Sequence, residues 1–365
     1  MLVRTVRISE IISSLKNDNY NVRRLGNYSG IKQGGPFNEP LGNPGATSVT
    51  FRHDSKKNIT RAIRVPYGVI PTEETIQRMN KMSKLLRRRE NGTNNFSLVP
   101  FDVIKSAVYI QDFEVPAIVM PWIEGKTLHE LARNFARANN QKGLNLLMKG
   151  IEKLGKQFQL SAFDHGDISG GNIMIGEKGL LHIIDPDTLL HESITNPPLT
   201  EFGHVSYAHP NRNHIQWESD LYRFPLEVIV VSLMALSIKP SLVKIFGDDD
   251  NSILFVQDDL LKPQESKLFN YLCNHNDDKL RERAIRLKSA TIAQTLNDAN
   301  KTIGPIYKGK NLPLSNIQTN LILAHKTTNL SNFTPPNSQI SSRRKSHKIK
   351  PNKIPAAMYG GNNNE

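Results

Sequence analysis

Apolar and polar positions alternate along Ser48–Phe51 and again along Thr60–Val65, with the polar run His53–Asn58 between them. That period of two predicts a pair of antiparallel strands. Runs near Val103–Ile110 and Ala117–Met120 predict two more strands. Elsewhere the period lengthens to that of a helix. A short helix is expected at Ile8–Leu15, a long one from Thr72 to about Arg89, and others over Thr127–Asn139 and Asn145–Leu160. Thr72 suits the N-cap of its helix, Glu73 and Glu74 its first turn and Arg87–Arg89 its last, each placed to oppose the helix dipole. Pro225–Ile238 is almost wholly apolar but only 14 residues long, with Glu227 inside it. That is too short for a bilayer and predicts a buried core helix.

Strands thus precede helices, which predicts an α+β protein of two lobes with a cleft between them. Glycines and prolines at Gly34-Gly35-Pro36 and Gly42-Asn43-Pro44-Gly45 mark turns before the first strand pair. The expected domains are an N-terminal extension (1–29), a strand-rich lobe (30–120), a helical lobe (121–300) and a disordered basic tail (301–365). The tail, rich in Asn, Ser, Lys and Pro, is expected to be dispensable for folding.

Charge sharpens this division. The net charge of the 365 residues is +13, yet ten Lys/Arg and only one acidic residue lie from Lys301 on, leaving +4 for residues 1–300. The high pI therefore describes the tail, and a nucleic-acid-binding domain is not expected on the body. The tail, with Arg343-Arg344-Lys345, could attract acidic partners, a membrane surface or nucleic acid. Cys273 is the single cysteine, so no internal disulfide is possible and a reducing, cytoplasmic setting is expected. No apolar core of a signal peptide occurs in Met1–Tyr20.

The chemistry is concentrated in His165-Gly166-Asp167-Ile168-Ser169-Gly170-Gly171-Asn172, followed by Ile173–Ile175, a turn bounded by Gly176 and Gly179, and Leu181–Ile184 before Asp185. Two short β-rich runs around a glycine turn predict a hairpin. A hairpin pairs its far ends, so Asn172 and Asp185 should meet, with Asp167 on the loop that feeds them. Carboxylate and amide oxygens are what Mg²⁺ prefers, with water and phosphate completing its shell.

This segment resembles the catalytic loop of the protein kinase superfamily, His-x-Asp-x4-Asn, followed by a β-hairpin and a metal-binding Asp. The resemblance implies ATP and Mg²⁺ as ligands, Asp167 as catalytic base, Asn172 and Asp185 as metal ligands, and His165 as support for the loop. It extends to Glu201–Pro210, placed like an activation segment, and to Asp220 ahead of the apolar helix. In the family an Asp at that position bonds the catalytic-loop backbone; an ordinary N-cap is the other reading of Asp220. Together these features look like a group of bacterial kinase-like proteins, and they imply a Ser/Thr protein kinase with a protein substrate. The His-Gly-Asp loop is equally similar to aminoglycoside and choline kinases, which phosphorylate small molecules. A pseudokinase scaffold is the third reading.

The first lobe resembles the family less. Arg64 stands where kinases place a phosphate-binding Lys. No G-x-G-x-x-G exists, leaving Gly42 and Gly45 as the candidate phosphate-covering loop or a plain turn. Met120, Trp122 and Ile123 would receive adenine at the hinge. Glu74 is the candidate partner for the strand cation, or simply complements its helix dipole. Asp187 reads as a further site carboxylate or a solvated residue. Gly166 replaces the Arg that clamps a phosphorylated segment, so activation by phosphorylation there is not expected. His204 and His209 read as local hydrogen-bonders, and Asp248–Asp250 as a solvated loop.

Overall fold

The computed structural model describes residues 5–16, 31–34, 39–54, 59–90, 97–194, 203–212, 220–247 and 252–306. The chain's contacts group Met1–Thr328 as one unit and Asn329–Glu365 as another, and the second lies wholly outside the described residues. The expectations for Arg343–Lys345 and Asp248–Asp250 also lie outside them.

Strands and helices are mixed, with the strands concentrated early. A five-stranded sheet is built from β1 (Gly42–Pro44), β2 (Ser48–Asp54), β3 (Thr60–Pro66), β4 (Asp102–Ile110) and β5 (Phe113–Pro121). Its order is β1-β2-β3-β5-β4, every neighbour antiparallel. Successive side chains point to opposite faces of a strand, so each face has its own cover. Val49, Phe51, Ile63, Val65 and Val119 are buried on one face with Ile11 and Leu15 of helix α1 (Ile8–Lys16). Ala62, Ile118 and Met120 turn the other way, into a core shared with Met79, Met82 and Leu86 of α2 (Glu73–Glu90). The hydroxyl of Thr72 caps α2 by accepting the Thr75 N–H at 3.2 Å, as its sequence predicts.

After β5 the chain is mainly helical. Helices α3 (Leu128–Arg137) and α4 (Gln141–Gln159) are capped by Thr127 and Asn140, whose side chains accept from Glu130 and Gly143 N–H. The apolar run becomes α5 (Arg223–Ile238), buried on nearly every side. That is what a helix without a polar face requires. Later helices, among them α6 (Asp278–Thr291) and α7 (Leu296–Ile303), pack against it. Among the described residues no helix is long and apolar enough to cross a membrane.

The boundary expected at 301 is too early. Helix α7 runs to Ile303, and both Ile303 and Ile306 are buried. A Cβ added at Gly155 of α4 would lie 2.9 Å from Ile306 Cβ, so that glycine makes room for the isoleucine. Two isolated apolar residues in a polar stretch looked like tail; both are buried in the folded body.

Candidate active site

Strands β6 (Gly125–Thr127), β7 (Phe163–His165), β8 (Ile173–Gly176), β9 (Leu181–Ile183) and β10 (Leu189–His191) frame the expected site. β8 and β9 form the predicted hairpin, with Ile173 opposite Ile183. Gly179 takes φ +69° in its turn, a conformation glycine adopts without a Cβ penalty. At the open end Ile184 N–H donates to Asn172 O at 2.9 Å, so Asn172 and Asp185 flank the same point.

Asp167 joins them there. Asn172 Nδ2 donates to Asp167 Oδ2 at 2.8 Å and to Asp167 O at 2.9 Å. Two acceptors on one side fix the amide orientation and leave Asn172 Oδ1 as the outward acceptor. His204 N–H donates to Asp167 Oδ1 at 2.7 Å. His165 is the brace beneath: its Nδ1 accepts the Asp167 N–H at 3.1 Å and its Nε2–H donates to Asp185 O at 3.0 Å. Burial depresses the His165 pKa, against the raising pull of Asp167 and Asp185, which suits this neutral tautomer. Asp185 itself sits at φ +67°. For a residue with a Cβ this costs on the order of 1 kcal/mol. Such strain collects where function needs a fixed geometry.

Arg64 reaches this point from β3. Its Nη1 lies 2.6 Å from Asp185 Oδ1 and its Nη2 lies 2.9 Å from Asp187 Oδ2. Nε and Nη2 also donate to Ser48 Oγ, at 3.1 and 2.7 Å. An Arg is suited to this because its planar fork serves several acceptors at once. Asp187 therefore belongs to the cluster and is not a solvated loop residue.

Several expected positions fall elsewhere. Glu74 is exposed in the first turn of α2, and the helix instead contributes Arg78. Arg78 donates from Nη1 to Leu189 O and from Nη2 to Asp187 O, both at 2.9 Å, tying α2 to the chain that follows Asp185. Gly42 is part of strand β1, facing the Val49 and Phe51 side chains, and the hairpin tip begins only at Gly45, whose N–H donates to Ser48 O. Met120 is buried in the core opposite Ala62. Trp122 donates its backbone N–H to Thr60 O at 3.2 Å, and its ring lies under the Arg52 guanidinium, 5.5 Å from the centroid. Ile123 is half-buried beside them.

Asp220 does not bond the His165–Asn172 loop. Its carboxylate holds Arg223 Nη2 at 2.8 Å. The link runs the other way, from Asp164, the residue before His165. Asp164 is buried and accepts from Leu221 N–H at 2.7 Å, and from Tyr222 and His165 N–H at 3.0 and 2.7 Å. Burial pushes the Asp164 carboxyl up to about 7, with those three N–H groups opposing the shift. Sequence reasoning missed Asp164 because a carboxylate beside a catalytic-type His carries no pattern of its own.

The segment beyond the hairpin is anchored where it is described. Ser206, Tyr207 and His209 are buried, and Gly203 at φ +73° packs over Gly166 O. Arg212 Nη1 donates to Gly166 O at 2.5 Å, and a Cβ at Gly166 would approach Arg212 Nη2 to 3.0 Å. His204 Nδ1 accepts from Ser206 N–H at 3.2 Å and His209 Nε2 bonds Ala290 O at 3.0 Å, the local roles expected of both.

Among the described residues no group of three or more His, Cys, Asp or Glu could hold a metal. Asn172 and Asp185 offer two hard oxygen ligands, a set that suits Mg²⁺ carried in with phosphates rather than a closed protein cage. The sequence matches no model of a known protein family and no curated protein.

Away from this cluster, burial lowers the pKa of His129, His182 and His209. Each must lose stability for the fold as pH drops below about 6.5, because the unfolded chain then binds the proton more tightly. Asp164 acts in the opposite sense, adding stability as pH falls through 7. With His165, whose pKa burial also lowers, four histidines against one carboxyl predict a lower thermal midpoint at pH 5.5 than at pH 7.5. A midpoint that rises on acidification would show Asp164 dominating.

Proposed function

We propose that this chain is an ATP- and Mg²⁺-dependent phosphotransferase of two-lobed, protein-kinase-like architecture, with a protein Ser/Thr hydroxyl as acceptor. The observation that carries the reading is the meeting of Asp167, Asn172 and Asp185 at the open end of one hairpin. Phosphoryl transfer asks the protein mainly for positioning and for compensation of charge. Asn172 Oδ1 and the Asp185 carboxylate would hold Mg²⁺, which neutralises phosphate charge when bound. Asp167 would orient the acceptor hydroxyl and take its proton. Its bonds from Asn172 and His204 fix the carboxylate plane, and His165 fixes its backbone. The anchored stretch Gly203–Arg212 beside Asp167 favours a peptide acceptor over a small one, because it offers a shelf at the carboxylate.

One observation favours a second reading. Arg64 already spans Asp185 and Asp187, so a pseudokinase scaffold could keep this cluster as a structural ion-pair network. Incubating the protein with γ-labelled ATP and Mg²⁺, alone and with cell extract, separates the readings. Label on protein supports the kinase, label only on small molecules supports a small-molecule phosphotransferase, and no transfer supports the scaffold.

Arg64 gives a sharper test. Arg64→Ala removes a charge-assisted contact of about 1.5–3 kcal/mol. Nucleotide affinity or turnover should fall roughly 10- to 150-fold. Arg64→Lys should keep part of the function, since a point charge can serve one carboxylate but not two. Unchanged activity in Arg64→Ala would remove Arg64 from the chemistry.

A further inference from the structure

Asp187 stands where three separate segments of the chain meet. It lies in the single 3-10 turn Pro186–Thr188 that follows Asp185. Pro186 and Thr188 are buried, whereas the Asp187 side chain is 27% exposed and faces Arg64. Leu189 N–H closes the turn on Pro186 O. Helix α2 holds the turn from behind, since Arg78 donates to Asp187 O and to Leu189 O, both at 2.9 Å. Those bonds end on the main chain, so they fix the position of Asp187 without using its carboxylate oxygens.

The carboxylate acts on Arg64. A guanidinium beside a carboxylate tends to close a two-point clamp, with two N–H groups on the two oxygens. Such a clamp on Asp185 would cover both oxygens that a metal ion could use. Arg64 is kept from closing it. Its Nη2 carries two hydrogens, and these go to Asp187 Oδ2 at 2.9 Å and to Ser48 Oγ at 2.7 Å. Its Nε–H goes to the same hydroxyl at 3.1 Å. That leaves Nη1 to face Asp185, which it meets at Oδ1. We propose that Asp187 is a positioning residue: it holds one arm of Arg64 aside, so that the cation stays at the site while Asp185 keeps an oxygen for Mg²⁺. Asp187, and not Glu74, is then the carboxylate partner of the strand cation, and α2 acts on it through Arg78. The inference rests on the phosphotransferase reading, in which Asp185 binds the metal.

The measurement is ATP binding to the full chain by calorimetry across a Mg²⁺ titration, with no acceptor present. Wild-type affinity should rise with Mg²⁺ to a plateau. In Asp187→Ala the freed arm can close on Asp185, and the Mg²⁺ concentration for half the effect should rise roughly tenfold or more, the scale of one charge-assisted hydrogen bond. Asp187→Asn keeps an oxygen for Nη2 and loses only the charge, so it should stay within about threefold of wild type. In an Arg64→Ala background Asp187→Ala should change nothing further, since no arm is left to hold aside. The ties from Arg78 reach the main chain, so these variants should fold, and thermal midpoints check that. An equal shift in Asp187→Asn and Asp187→Ala would mean that lost charge alone weakens the metal. A shift that persists without Arg64 would mean that Asp187 meets the metal itself. Either result, or an unchanged Mg²⁺ requirement in Asp187→Ala, overturns the inference and leaves the phosphotransferase reading standing. Wild-type ATP binding that ignores Mg²⁺ overturns both.

Discussion

Asp167→Asn should reduce phosphoryl transfer by roughly 10²- to 10⁴-fold, the range a positioned base contributes. Mg·ATP binding should survive, because on the proposed reading the metal is held by Asn172 and Asp185. The substitution keeps the shape of the side chain but not its hydrogen-bonding character. Both Asp167 oxygens accept, one from His204 N–H at 2.7 Å and one from Asn172 Nδ2 at 2.8 Å. An amide must turn its own NH₂ toward one of those donors, and leaving a donor unmet costs about 1–3 kcal/mol. A modest drop in thermal midpoint is therefore expected beside the large kinetic loss. Nucleotide binding by calorimetry separates the two effects. Normal turnover in this variant would remove Asp167 from the chemistry.

The largest effect on stability is expected far from the cluster, at Arg283 of α6. Its Nε and Nη2 hold both oxygens of Glu227 on α5, at 2.8 and 2.9 Å, and its Nη1 holds Glu152 of α4 at 2.7 Å. Nη2 also donates to Ile306 O at 3.1 Å, which ties in the end of the described chain. The Glu227 side chain is 3% exposed. Arg283→Met would leave it charged and buried with no cation, and breaking such a pair costs about 3–5 kcal/mol. Adding Glu227→Gln should restore part of that loss, since the stranded charge goes with it. Denaturant unfolding of both variants measures the difference. A loss below about 1 kcal/mol for Arg283→Met would mean that water or another group takes over the carboxylate.

Arg283 also shows what the sequence could and could not announce. Glu227 stood out as one charge in an apolar run, which asks for a buried partner, but nothing local says that the partner lies 56 residues on. The regular elements were legible because their periods are local: β2, β3, α2, α3, α4 and α5 all lie where alternation or helical spacing puts them. Leu280, Ala284, Leu287 and Thr291 carry the same helical signal for α6, though the charged residues between them mask it. The hairpin and the meeting of Asn172 with Asp185 followed from a glycine turn between two short β runs. Contacts between distant segments did not. Arg78 is one of six Lys or Arg residues from position 78 to 89, and only the fold selects it as the one that reaches Asp187 and Leu189. Asp164 was hidden for the same reason, and Asp220 was assigned its role by position alone. Gly42 misled because Gly-Asn-Pro-Gly has turn chemistry, whereas pairing with β2 extends its first three residues into an edge strand.

The most direct test of the central claim is γ-phosphate transfer by the wild-type protein, measured with Mg²⁺ and with Mg²⁺ chelated, alongside Asp185→Ala. Transfer should need Mg²⁺ and collapse in Asp185→Ala, with nucleotide binding weakened in that variant only when Mg²⁺ is present. Transfer that continues undiminished in Asp185→Ala, or a wild-type protein that transfers no phosphate to any acceptor in cell extract, would contradict that claim.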